Sequence, residues 1–71
     1  MRYFFHIRTN NGLIPDTEGT ELAGLEQARQ EALTSARELA TEFPPGSEGV
    51  PLKSIEVMDE ISRPVFSAPI F

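Results

Sequence analysis

Cysteine is absent from this chain, and histidine occurs once. No disulfide can staple the fold, and the usual ligands of a structural zinc site are missing. A metal would have to be held mainly by carboxylates. Cations are also few: six Lys and Arg stand against eleven Asp and Glu, a net charge of −5. Arg2, Arg8, Arg29, Arg37, Lys53 and Arg63 are scattered among the acids, whereas a nucleic-acid binder clusters its cations to displace phosphate counterions. Binding to nucleic acid is therefore not expected, nor is binding to an anionic membrane surface. No apolar run approaches the roughly 20 residues of a membrane-spanning helix. The opening Met1-Arg2-Tyr3-Phe4-Phe5-His6-Ile7-Arg8 is too short in apolar residues for a signal peptide, and no small-residue cleavage site follows. These absences lead to the expectation of a cytoplasmic protein.

What is present suffices for one domain over residues 1–71. A domain of this size buries only about 60% of the surface its unfolded chain exposes, so self-association is a reasonable route to extra stability. Residues 2–9 alternate as a strand, with Tyr3, Phe5 and Ile7 on one face and Phe4, His6 and Arg8 on the other. Asn10-Asn11-Gly12 supplies the backbone freedom of a tight hairpin turn. A second strand spans about 13–16, and Pro15 marks it as short and at an edge. After the polar loop Pro15–Glu21 the period changes: Leu25, Ala28, Ala32, Ala36, Leu39 and Phe43 line one face of a helix over 25–42. Gly24 is its N-cap, and Gln27 can reach back to the cap's N–H. Pro44-Pro45-Gly46 stops the helix, and a flexible loop continues to Pro51. Strands over 53–59 and 64–68 form a second hairpin about the turn Asp59–Arg63, and Pro69 again suggests an edge.

The expected fold is α+β, ordered ββαββ. A four-stranded, mainly antiparallel sheet in the order 2-1-3-4 carries one helix on one face, with a right-handed crossover. The alanines at the centre of the helical stripe let it lie close to a sheet bearing large side chains such as Tyr3 and Phe5.

Arg2-Tyr3-Phe4-Phe5-His6, then Leu13-Ile14-Pro15-Asp16-x-Glu18-Gly19-x-Glu21-Leu22 and later Ile55-Glu56-Val57-Met58-Asp59-Glu60, resemble a family of small bacterial proteins of unknown function. The resemblance covers most of the chain. It implies a compact stand-alone domain in a bacterial cytoplasm, and it implies no activity. The chain departs from the family pattern at Ala23-Gly24, before the helix, and at Ile61-Ser62, where an Asp-Gly turn is typical.

Few groups point to chemistry. Asp16, Glu18 and Glu21 flank a glycine and could wrap a hard cation, but they lack EF-hand spacing. They read more simply as a turn in which Asp16 caps the backbone, Gly19 takes positive φ and Glu21 favours the helix N-terminus. His6 could pair with Glu56 across the sheet, an arrangement more often structural than catalytic. No nucleophile elbow, phosphate-binding glycine loop or H-E-x-x-H motif occurs. No catalytic residue, cofactor or metal site is expected.

The sheet face away from the helix is more informative. Phe4, His6, Met58 and Phe66 are the candidate contact residues there, with Glu56 and Arg8 around them, unless Pro69-Ile70-Phe71 folds over that face. The expected function is a non-enzymatic interaction module that forms a homodimer through this open face. The alternative is a small regulatory protein that binds another protein by an edge strand or by the acidic loop 16–21. A carboxylate metal-binding domain is a third reading.

Overall fold

The computed structural model describes residues 1–43 and 51–70. The elements are β1 (Arg2–Thr9), β2 (Gly12–Ile14), β3 (Thr20–Glu21), α1 (Leu25–Glu42), β4 (Leu52–Met58) and β5 (Pro64–Pro69). The sheet runs β2-β1-β4-β5, antiparallel throughout, with β3 also paired to β1. This is the expected α+β arrangement with one addition. The loop after Pro15 was expected to be irregular, yet Tyr3 pairs with Thr20 and Arg2 with Glu21. Leu22 N–H extends that pairing by donating to Met1 O at 2.8 Å.

Each element follows from local sequence. Thr9 Oγ1 accepts the Asn11 N–H and donates to Gly12 O, closing the first hairpin. Gly12 takes the positive φ there, at 128°. β2 ends at Ile14, short of residue 16, because Pro15 has no N–H to continue the ladder. In α1, Ala28, Ala32 and Ala36 form the buried stripe. Leu33, Leu39 and Ala40 pack around it, but Leu25 and Phe43, at the ends of the helical face, remain exposed. Gln27 does reach back, but its Oε1 accepts the Ala23 N–H rather than that of Gly24. With Gly24 fully extended, it is Ala23 whose amide faces the first turn. At the other end Phe43 N–H donates to Leu39 O. The expected stop at Pro44-Pro45-Gly46 and the loop from Ser47 lie outside the described residues.

α1 packs on β4 and β5. The core beneath it contains Tyr3, Ile55, Val57, Ala68 and Ile70, with Phe5 and Ile7 partly buried beside them. Cross-strand partners project to the same face, so Phe5–Val57–Phe66 and Ile7–Ile55–Ala68 are rows on the helix side. One expectation is thereby corrected, and one alternative is narrowed. Phe66 lies on the helix side, packed against the core, and not on the open face. The cause is a β-bulge: the pairing shifts between Val57 and Met58, so that Met58 faces Pro64 and the phase of β5 slips by one residue. The C-terminal residues do not cross the open face as far as they are described. Pro69 ends β5, and Ile70 is buried on the helix side with its N–H donated to Lys53 O at 2.9 Å. Phe71 lies outside the described residues. Among those that are described, no helix is long and apolar enough to cross a membrane.

Candidate functional site

The even-numbered residues of β1 and β4 build the face opposite the helix. Its rows are Phe4–Met58, then His6–Glu56–Ser67, then Leu13–Arg8–Ser54–Pro69. Phe4, His6 and Met58, three of the four candidate contact residues, thus stand side by side on it. Each is half-buried, while Leu13 is 41% exposed. The Phe4 and His6 rings are nearly parallel, with centroids 6.5 Å apart.

His6 and Glu56 are directly opposite in register, but they are not hydrogen-bonded to each other. His6 Nδ1 accepts the Asp16 N–H at 2.9 Å. That acceptor role places the ring proton of the neutral imidazole on Nε2. Glu56 Oε2 accepts from Ser67 Oγ at 2.6 Å and from Ser54 Oγ at 2.7 Å. These two hydroxyl bonds hold the Glu56 carboxyl below the usual range against the upward push of burial, with Arg8 adding attraction. The expected His–carboxylate pair is therefore a neighbour relationship in which each group is bonded elsewhere.

The loop from Asp16 to Gly19 borders this face. Asp16 Oδ1 accepts the N–H groups of Glu18 and Gly19, and Oδ2 accepts that of Phe5. Burial raises the Asp16 pKa, but the bonds from Phe5, Gly19 and Glu18, together with the charge of His6, bring it below its ordinary value. Gly19 has a φ of 76°. The simple turn reading of Asp16 and Gly19 describes this loop. Glu21 does not serve the helix N-terminus. It pairs with the Met1 ammonium at 2.8 Å and with Arg2 at 3.8 Å, because β3 turns it back along β1. Arg2 Nη1 also donates to Glu18 O. Among the described residues, no group of three or more His, Cys, Asp or Glu side chains is placed to hold a metal ion.

Two of the three segments that carry the sequence resemblance are thus each other's partners. Arg2, Phe4, Phe5 and His6 receive Glu18, Gly19 and Asp16. The residues missed from sequence were Ser54 and Ser67 as partners of Glu56, and Asp16 as the partner of His6. The first pair was readable in part, since Ser54 and Glu56 are two apart on one strand and so share a face. The second depends on how a loop folds back, and no periodicity encodes that.

The outer rims of the sheet follow from parity. Ile70 donates to Lys53 O, and hydrogen-bonded pairs alternate along an antiparallel ladder. Phe66 and Ala68 therefore turn their backbone groups toward β4, and Ser67 and Pro69 turn theirs outward. By the same rule the bond of Phe5 N–H toward the Asp16 side points Ile7 and Thr9 at β2. Leu13 and Pro15 then face outward. Pro15 and Pro69 each remove an outward donor two residues beyond Leu13 and Ser67, while on the β2 side Glu21 of β3 also turns outward.

No curated protein and no solved structure matches the chain. A family model described as a domain of unknown function (DUF6894) matches residues 2–71. The chain belongs to that family.

Proposed function

We propose that the chain is a non-enzymatic interaction module that self-associates, two copies packing open face against open face. One observation carries the reading: Phe4 and Met58 lie directly opposite each other on the sheet face that α1 does not cover. Apolar side chains on an uncovered sheet face, Phe4 and Met58 in one row and exposed Leu13 two rows away, are the kind of surface that a partner covers. A second copy suits it because the face carries charges of both signs, Arg8 and Glu56. A two-fold arrangement can set the cation of one copy near the acid of the other. The bonding of His6 and Glu56 fits the non-enzymatic part, since His6 Nδ1 is engaged by Asp16 and Glu56 Oε2 by the two serines rather than by each other.

The alternative of strand addition has less to work with, because a proline interrupts the outward donors of each rim. Binding through the acidic loop is weakened likewise: the Asp16 and Glu21 carboxylates are engaged within the chain. A bacterial cytoplasmic setting remains part of the proposal and rests on the family resemblance.

Sedimentation equilibrium over a range reaching high micromolar concentration tests the reading. The expected result is twice the chain mass, reverting to the monomer mass in Phe4→Ser and in Met58→Lys with unchanged circular dichroism. A wild-type chain that stays monomeric would sink the proposal.

A further inference from the structure

The Asp16 N–H can reach His6 Nδ1 only while that nitrogen carries a lone pair. A proton on Nδ1 would set two donors 2.9 Å apart, and the contact could not persist. This bond is one of the ties between loop 16–19 and the sheet. The others are Phe5 N–H to Asp16 and Arg2 to Glu18 O. Under that loop lies Phe4, close enough to Gly19 that a Cβ there would come within 2.9 Å of Phe4 Cε1. We propose that His6 and Asp16 form a proton-operated latch: neutral His6 holds loop 16–19 against the sheet, and protonation of His6 releases it and uncovers Phe4.

The charges around the ring come from three elements. Asp16 approaches from the loop, Glu56 stands opposite on β4, and Arg8 sits two residues along β1. Both carboxylates, held below their usual range, stay ionised across the range in which histidine side chains commonly change charge. The Asp16 carboxylate is held where it stands by the Phe5, Glu18 and Gly19 amides, while the Asp16 N–H is the group aimed at Nδ1. Accommodating His6 as a donor on both nitrogens requires the loop to shift. Phe4 is also a contact residue of the proposed pairing, but the His6–Asp16 bond lies within one chain.

Amide hydrogen exchange followed by NMR, corrected for the intrinsic pH dependence of exchange, reads the latch directly. On going from about pH 7.5 to about pH 5, protection of the Asp16, Glu18 and Gly19 amides should fall about tenfold while the β4 amides keep theirs. His6→Asn retains an acceptor near the Nδ1 position without a titrating ring, and its loop protection should stay level across the same range. Loop protection that is unchanged while the His6 resonances titrate overturns the proposal. So does a His6 that remains neutral throughout, or an equal fall in His6→Asn.

Discussion

Gly19 lies flat against Phe4. A methyl group in place of its hydrogen would come 2.9 Å from Phe4 Cε1 and 2.8 Å from Arg2 Cγ, on a backbone whose φ of 76° already disfavours any side chain. Gly19→Ala should therefore cost about 1–2 kcal/mol from the left-handed backbone alone, with the Phe4 contact adding to it. Urea denaturation measures the loss. An unchanged midpoint would mean that the loop does not rest on Phe4.

Ser62 presents the opposite case. It adopts a φ of 62° in the turn between β4 and β5, where Asp59 accepts the Ile61 and Arg63 amides. Its left-handed backbone is the kind that glycine takes without a steric penalty. Ser62→Gly should raise stability by about 0.5–1 kcal/mol, the steric relief exceeding the added flexibility of the unfolded chain. The same denaturation experiment, run beside Gly19→Ala, should move in the opposite direction.

The carboxylates of Asp16 and Glu56 contribute to the acid limit. Both bind protons less readily folded than unfolded. Their contribution is thus complete above the unfolded values near pH 4 and is lost as the pH falls through the lower folded values. Below about pH 5 the urea midpoint should drop with acid, and Glu56→Gln should make that drop shallower. Asp16→Ala acts at any pH, because it strands the Phe5, Glu18 and Gly19 amides. A cost of about 1–3 kcal/mol is expected.

Ala32 is fully buried against the sheet. Ala32→Leu must push α1 outward or distort neighbouring side chains, at about 1–3 kcal/mol. A thermal midpoint equal to wild type would show that α1 does not sit as close as its alanine stripe indicates.

Much of this architecture was readable from period alone. Tyr3, Ile55 and Val57 alternate with Phe4, Glu56 and Met58, and the structure buries the first set under the alanine stripe of α1. Phe66 was misplaced because phase cannot be counted through a turn that ends in a bulge: one residue between Met58 and Phe66 is absorbed without a partner. β3 escaped notice because two residues carry no alternation. The Gln27 bond was anticipated one residue late, since the extended backbone at Gly24 is not written in its side chain. On the candidate surface, the membership of Phe4, His6 and Met58 followed from the same alternation. The bond between His6 and Asp16 is a meeting of residues ten apart through a folded-back loop, which local pattern does not specify.

Pro69 offers the last test. Pro69→Val restores an outward N–H two residues beyond Ser67, giving a visiting strand successive donors to grip. Light scattering during concentration should rise in this variant and not in Pro69→Ala combined with Ser67→Pro, which restores one donor and deletes another.

The proposed pairing also bears on what size of object the chain can build. A contact made face to face by two identical copies uses up the helix-free side of both, so on that reading assembly would end at a pair with the helices outermost.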